Sequence, residues 1–196
     1  MAHLFFDVET TGLPKNYKAH YSQIDNWPRI VQLSWLLAGP NGDVLKESDN
    51  IIKVDFPIPA ESSRIHSITN EVTEQRGVTI SEVLKDLLAD FEKADCIICH
   101  NISFDLAVLQ SELLRANLEP EIKKDLLCTM KNSTDYCKLP GNYGYKWPQL
   151  EELYKICFGR SIQNAHNAMA DVRATHEVFF HLVREKVFFS GPQQPN

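Results

Sequence analysis

Two carboxylates stand in the first apolar run of the chain, and they constrain the fold more than any other feature. Residues 3–8 have the composition of a buried strand, and because side chains alternate between the faces of a strand, Asp7 and Glu9 project from the same face. Neighbouring carboxylates in a core repel each other and lose hydration, and a divalent cation between them removes both penalties. The alternative is a strand end where both acids reach water, and this segment alone favours neither interpretation.

The order of the apolar segments predicts an α/β fold with a mixed sheet. Strands are predicted at residues 3–8, 29–38, 43–54, 94–100 and 125–127. Helices are predicted at residues 80–91, 103–116, 150–158 and 167–185, and loops at 14–28, 56–64 and 138–148. Turn residues at 39–42 predict an antiparallel hairpin, and a hairpin followed by alternating helix and strand is typical of this class. We expect residues 1–188 to form one domain and residues 189–196 a flexible C-terminal tail.

Composition narrows the class of protein. The chain has 196 residues, of which 43% are hydrophobic, as in ordinary globular domains. Its net charge of −6 argues against binding duplex nucleic acid or an anionic membrane over the whole surface, but not against holding a nucleic-acid end in a local site. No apolar run is long enough for a membrane helix, so we expect a cytoplasmic protein without membrane contact. Five cysteines, an odd number, favour free thiols, including the pair Cys96 and Cys99.

Two further segments carry more polar side chains than their surroundings explain. Residues 100–105, His-Asn-Ile-Ser-Phe-Asp, follow the predicted fourth strand and open a helix. Residues 166–171, His-Asn-Ala-Met-Ala-Asp, begin the final predicted helix, and helical spacing places Asp171 on its inward stripe. Taken alone, each segment is explained by a helix cap and an acid that complements the helix dipole.

In this order, the three polar segments resemble the three motifs of the DEDDh 3′→5′ exonuclease superfamily, the group of the proofreading subunit of bacterial replicative polymerases. Residues 7–13 match Asp-x-Glu-Thr-Thr-Gly-Leu, residues 100–105 match His-Asn-x-x-Phe-Asp, and residues 166–171 match His-x-Ala-x-x-Asp. Residues 65–69, Ile-His-Ser-Ile-Thr, are a softer match, because Ser67 stands where the family usually has glycine. The ordered set is far more specific than any single motif.

The resemblance implies a ribonuclease H-like fold, in which helices flank a mixed five-stranded sheet. It implies two divalent cations, Mg²⁺ or Mn²⁺, whose ligands are Asp7, Glu9, Asp105 and Asp171. The implied catalytic set is these four carboxylates together with His166 as the general base. Hard cations prefer oxygen ligands, and an imidazole suits proton transfer at neutral pH. The residues implied to contact the substrate are Thr10, Leu13, His66 and Phe104.

The implied activity is hydrolysis at the 3′ end of single-stranded DNA with release of 5′-mononucleotides, in proofreading or repair, with a DNA polymerase as a candidate partner. The alternative is an exoribonuclease that trims RNA 3′ ends, similar to oligoribonuclease or ribonuclease T, because the sequence does not show whether a 2′-hydroxyl fits. A non-catalytic nucleic-acid-binding module is disfavoured, since all five catalytic positions are filled. The sequence leaves the oligomeric state open.

Two predicted loops are rich in aromatic and basic side chains. Residues 14–28 and 138–148 contain four of the six tyrosines and two of the three tryptophans. Aromatic faces stack on bases and lysines neutralise phosphates, so we predict that these loops bind nucleotides upstream of the 3′ end. The tyrosines assigned to the substrate are Tyr17, Tyr21, Tyr143 and Tyr145. Trp27 and Trp147, each beside a proline, are predicted to pack the loops onto the body of the protein.

Overall fold

The structure, a computed structural model, describes residues 1–188, so the tail predicted at residues 189–196 lies outside the described residues. Five strands form the central sheet: β1 (His3–Thr10), β2 (Ile30–Ala38), β3 (Val44–Ile51), β4 (Cys96–Cys99) and β5 (Asp125–Cys128). Their order is β3-β2-β1-β4-β5, with β1 in the centre. β2 is antiparallel to both β1 and β3, whereas β4 is parallel to β1 and β5. The predicted mixed five-stranded sheet is confirmed, and the assignment of residues 1–188 to a single domain stays a prediction.

Helices occupy both faces of the sheet. They are α1 (Ala60–His66), α2 (Asn70–Arg76), α3 (Ile80–Phe91), α4 (Ile102–Arg115), α5 (Thr129–Asn132), α6 (Thr134–Cys137), α7 (Leu150–Phe158) and α8 (Ala168–Arg184). A short hairpin, β6 (Pro140–Gly141) and β7 (Gly144–Tyr145), and a 3-10 turn at Ile24–Asn26 lie within two of the predicted loops. Between residues 1 and 188, none of the helices is long and apolar enough to cross a membrane.

Alternation along β1 divides the core into two layers. Leu4 and Phe6 belong to a cluster with apolar side chains of α3 and α4, whereas Phe5 belongs to a cluster with side chains of α8. Asp7 and Glu9 have the same parity as Phe5, so they project towards the α8 side at the carboxyl end of β1. Because burial of each large apolar side chain stabilises the fold by about 1.5–3 kcal/mol, the core on both faces holds these acids in place.

The prediction of a loop at residues 56–64 is wrong for its second half, because α1 begins at Ala60. Pro59 is the N-cap of α1, a position where the missing N–H of proline leaves no helical hydrogen bond unmade. The segment is stabilised by a small cluster in which Ile58 and Ile68 pack with Val31 of β2. The high content of Pro and Ser concealed a helix that depends on these distant contacts. α2 likewise has no counterpart among the predicted helices.

The end of α1 permits a stability prediction. Ser67 has a φ of 62°, in the left-handed region where a Cβ atom is strained and glycine is preferred. We expect Ser67→Gly to raise the free energy of unfolding by about 1 kcal/mol, measured by urea denaturation. Gly159→Ser is the matched control, because Gly159 ends α7 with a φ of 68° and should lose a similar amount. A less stable Ser67→Gly protein would contradict the strain argument.

Candidate active site

β1 carries the first two carboxylates to the carboxyl edge of the sheet, where its parallel strands end. Asp7 lies opposite Ser34 of β2, and Glu9 lies opposite Gln32. Both acids are at the carboxyl end of β1, the end that β4 and β5 share because these three strands are parallel. Ligand-binding groups gather at the carboxyl ends of parallel strands, where the following turns and helices also begin.

Asp105 reaches the same edge from the first turn of α4. β4 ends at Cys99, and Asn101, with a φ of 74°, turns the chain into the helix. Asparagine tolerates this left-handed conformation better than most residues. Asp105 is only 3% exposed, which does not fit an acid that merely complements a helix dipole beside water. A different reason for its burial is required.

α8 supplies Asp171 in its first turn, and His166 lies just before the helix. The capping role belongs to Asn167, whose side chain accepts a hydrogen bond from the N–H of Ala170 at 3.2 Å. The backbone N–H of His166 donates to Oδ2 of Asp171 at 3.2 Å, while the His166 side chain is exposed. The explanation of His166 as a helix cap is therefore not supported.

Carboxylates from three separate segments converge. Asp7, Glu9 and Asp171 each offer an oxygen, and the three oxygens lie within 4.8 Å of one another. Asp105 is near enough that its charge raises the pKa of Asp7 more than any other neighbouring charge does. Carboxylate oxygens are the ligands that hard divalent cations prefer, so the donor set fits such an ion.

Desolvation shifts the proton equilibria of all four acids in one direction. Loss of hydration, followed by the charge of the neighbouring carboxylates, raises the pKa of Asp7 well above its ordinary value of 3.8. The same two causes raise the pKa of Glu9 to about 8. Loss of hydration raises the pKa of Asp105 to about 8 and that of Asp171 to about 6. The four acids therefore resist ionising together unless positive charge is added.

A pH-dependent loss of stability follows for the metal-free protein. Acids with a raised pKa in the folded state bind more protons there than in the unfolded chain, so the free energy of unfolding falls as the pH rises to about 8, the pKa of Glu9 and Asp105. Histidines with a lowered pKa, such as His100, act in the opposite direction below their ordinary value of 6.5. In excess chelator, we therefore expect Tm to fall between about pH 6.5 and 8, and added Mg²⁺ to restore it. A Tm that rises across this window would contradict the argument.

A polar row on β2 and β3 supports the site and was not predicted from the sequence. Gln32 is 2% exposed, and its Oε1 accepts the N–H of Ala168 at 3.3 Å. Its amide donates to Oδ1 of Asp49 at 2.7 Å, and the hydroxyl of Ser34 donates to the same oxygen at 2.7 Å. The start of α8, which carries Asp171, is thereby held against β2. The signal in the sequence was a glutamine and a serine at alternate positions of an apolar strand.

Two of the residues predicted to contact substrate are accessible. Leu13 is 74% exposed, and Phe104 is half-buried against the core. Thr10 is buried, and its hydroxyl donates to the carbonyl of Gly12 at 2.7 Å, which shapes the turn after β1. The substrate contacts of these residues stay predictions.

His66 is buried with both ring nitrogens engaged. Its Nδ1 accepts the N–H of Ile68 at 3.1 Å, so Nε2 carries the proton and donates to the carbonyl of Thr10 at 3.3 Å. Burial lowers the pKa of His66, which favours this neutral form. The ring therefore supports the turn after β1, and its contact with substrate stays a prediction.

The two loops rich in aromatic side chains, residues 14–28 and 138–148, differ in how far these side chains are buried. Trp27 is 5% exposed, and its indole N–H donates to the carbonyl of His20 at 3.2 Å, so its predicted packing role is confirmed. The same prediction is wrong for Trp147, which is 59% exposed. Its neighbour Pro148 is the buried residue and connects the loop to the body of the protein. The exposed predicted tyrosines are Tyr17, Tyr143 and Tyr145, whereas Tyr21 is half-buried.

A cleft of about 740 Å³ opens at the start of α8, where Asn167 and Ala170 line it next to the segment that carries Asp171. Its lining includes His66 and Ser67 from the end of α1, Arg160 from the loop after α7, and His166. Its volume is within the range of small-ligand sites. The cleft therefore gives a ligand access to His166.

The chain is similar to a known protein family over most of its length. Residues 4–179 match the model of a family described as Exonuclease, RNase_T. The chain belongs to the RNase_T exonuclease family, and the resemblance inferred from the ordered motifs is confirmed.

Two relatives and one solved structure are similar to this chain over most of its length. The DNA polymerase III PolC-type protein of Pediococcus pentosaceus is 26% identical over 183 residues, which are 93% of this chain and 11% of that protein. The DNA polymerase III subunit epsilon of Treponema pallidum is 26% identical over 174 residues, which are 89% of this chain and 73% of the relative. E. coli exonuclease I, solved in complex with a dA16 oligonucleotide, matches 95% of this chain and 42% of its own at 20% identity, with a TM-score of 0.75. The chain thus spans a minor part of the PolC-type protein and of exonuclease I, and the structural likeness confirms the ribonuclease H-like fold.

Proposed function

We propose that the chain is a 3′→5′ exonuclease that hydrolyses the terminal phosphodiester bond of single-stranded DNA and releases 5′-mononucleotides. The observation that carries this proposal is the convergence of Asp7, Glu9, Asp105 and Asp171 beside the exposed His166. The raised pKa values of these acids mean that their ionised cluster destabilises the metal-free fold. A cation-dependent function explains why such a cluster is present.

The four carboxylates are proposed to hold two divalent cations, Mg²⁺ or Mn²⁺. The group that offers ligands within 4.8 Å contains carboxylates alone, which suits hard cations better than zinc. When bound, the cations supply positive charge that acidifies a water molecule and stabilises the leaving 3′-oxygen. The protein holds the carboxylates on β1, α4 and α8, three elements fixed by the core, so the ligands are positioned before the substrate arrives.

His166 is proposed as the general base. Its side chain is exposed on the lining of the cleft, and its backbone is held by the carboxylate of Asp171. With the carboxylates committed to cations, the imidazole is the group suited to accept the proton of the attacking water at neutral pH. Leu13 and Phe104 are proposed to contact the terminal nucleotide, with Thr10 and His66 shaping the turn beneath it. Tyr17 and Tyr143 are proposed to contact nucleotides further upstream.

Single-stranded DNA is the proposed substrate, and a DNA polymerase is the proposed partner. Support comes from the relatives named as DNA polymerase III proteins and from the dA16 oligonucleotide bound by exonuclease I. The net charge of −6 favours a strand end held in a local site over binding along the whole surface.

The deciding experiment compares hydrolysis of 5′-labelled single-stranded DNA, single-stranded RNA of matched sequence, and a DNA duplex with a 3′ mismatch. We expect stepwise shortening from the 3′ end, fastest on single-stranded DNA and abolished by chelator. Faster hydrolysis of RNA would assign an RNA-trimming exoribonuclease instead. Hydrolysis of none of them with Mg²⁺ or Mn²⁺ would favour a non-catalytic binding module.

A further inference from the structure

An aromatic surface formed by Tyr143, Tyr145 and Trp147 lies on the β6–β7 hairpin and the residues after it. Tyr143 is fully exposed, and Tyr145 and Trp147 are each more than half exposed. Large aromatic side chains gain stability when they are buried, so three exposed rings within five residues need an explanation other than packing.

His100 connects this surface to the sheet. At the carboxyl end of β4, its Nε2 lies 3.0 Å from the carbonyl of Pro148, and its Nδ1 lies 3.0 Å from the hydroxyl of Thr129. Burial lowers the pKa of His100 to about 4, so the ring is neutral at physiological pH and donates one hydrogen bond to Pro148. The segment after the hairpin is therefore attached to the second motif through Pro148, while the aromatic rings remain exposed.

Lys131 adds a cation to the aromatic surface. Its Nζ lies 5.6 Å from the centre of the Trp147 ring and 3.3 Å from the hydroxyl of Ser103. Nζ of Lys146 forms an ion pair with Oε1 of Glu152 at 2.5 Å. Lys131 has no carboxylate partner among the ion pairs formed within residues 1–188. Its positive charge is therefore available to an anionic ligand.

Lys131 and Trp147 lie on the side of the sheet edge that also carries Asp105. Ser103, the partner of Lys131, shares the first turn of α4 with Asp105. Glu151, in the first turn of α7 after the hairpin, is close enough to Asp171 for the two charges to interact. Lys131 follows β5, which lies two strands from β1, or about 10 Å across the sheet. Because β1, β4 and β5 are parallel, Lys131 follows the same carboxyl edge of the sheet that carries the acidic cluster.

We propose that Trp147 and Lys131 form a binding site for the single strand on the 5′ side of the scissile phosphodiester, with the indole stacking on a base and the ammonium contacting a phosphate. The proposal deepens the proposed exonuclease function and rests on it. Aromatic faces stack on every base, and a lysine recognises the phosphate rather than the sequence, so binding at this site should be independent of sequence.

Binding can be tested without hydrolysis. Trp27 and Trp35 are buried, so Trp147 is the tryptophan that a ligand can reach from solvent. In excess chelator, a single-stranded DNA oligonucleotide should quench the tryptophan fluorescence of the full chain, and Trp147→Phe should abolish the quenching. Lys131→Ala should weaken binding and reduce the slope of log K against log salt by about 0.7, as expected for one phosphate contact with a single strand. Quenching that persists in Trp147→Phe would overturn the proposal.

Kinetics provide the second test. For Trp147→Ala, we expect KM on a long strand to rise about tenfold more than KM on a dinucleotide with the same 3′ end, with kcat on the long strand nearly unchanged. Trp147→Phe should recover most of this loss because it retains an aromatic face. Leu45→Ala is the control, since Leu45 is a 61% exposed apolar side chain on the edge strand β3 and should change neither constant.

The outcomes separate this proposal from the function on which it rests. Equal losses on both substrates, or none on either, would reject the upstream site while leaving the exonuclease intact. A chain that hydrolyses no strand but shows quenching that depends on Trp147 would keep the binding site and reject the exonuclease.

Discussion

Replacing Asp7 by asparagine is expected to lower the rate of mononucleotide release from a labelled single strand by at least about 10²-fold in saturating Mg²⁺. An oxygen of Asp7 lies within 4.8 Å of oxygens of Glu9 and Asp171, and among the neighbouring charges Asp105 raises the pKa of Asp7 most. An amide of nearly the same size keeps the shape of the site but removes one negative ligand, so cation binding should weaken without a change of fold.

The stability of the same variant should change in the opposite direction. Asp7→Asn removes one charge from a desolvated acidic cluster, so Tm of the metal-free protein at about pH 8 should rise. A lower rate together with a higher Tm distinguishes a lost cation ligand from misfolding. Asp43→Asn, in the exposed turn between β2 and β3, is the control and should alter neither quantity. Full activity of Asp7→Asn, or of the unaltered chain in excess chelator, would refute the metal site.

The second large effect is expected for His166→Ala. If His166 accepts the proton of the attacking water, kcat should fall by about 10²–10⁴-fold while KM changes little, because the proton is transferred only in the transition state. Steady-state rates on a long single strand would measure both constants.

His181→Ala is the matched control for this substitution. His181 lies in the last turn of α8, at the opposite end of the helix that follows His166, and its removal should leave kcat unchanged. An unchanged kcat for His166→Ala would instead restrict His166 to its backbone contact with Asp171.

Periodicity in the sequence was sufficient to predict a helix or strand where that element buries a continuous apolar stripe. The helices predicted at residues 103–116 and 167–185 are observed as Ile102–Arg115 and Ala168–Arg184, and the predicted hairpin is observed as β2 and β3. It failed for α1, which is stabilised by the contact of Ile58 and Ile68 with Val31. A short helix carries too little apolar surface of its own for its periodicity to be recognised.

The sequence by itself determined which side chains could be proposed for the chemistry. The resemblance of the three ordered motifs to the exonuclease superfamily implied Asp7, Glu9, Asp105, Asp171 and His166, because residue type, order and spacing are local properties of the motifs. Only the tertiary structure decided how polar and aromatic side chains outside the motifs are used. Trp27 and Trp147 both precede a proline, yet one is buried and the other exposed. Gln32 lies in an apolar strand, yet it holds the start of α8, 136 positions away at Ala168. Burial and hydrogen-bond partners depend on surfaces that folding brings together from distant parts of the chain, and local spacing does not encode them.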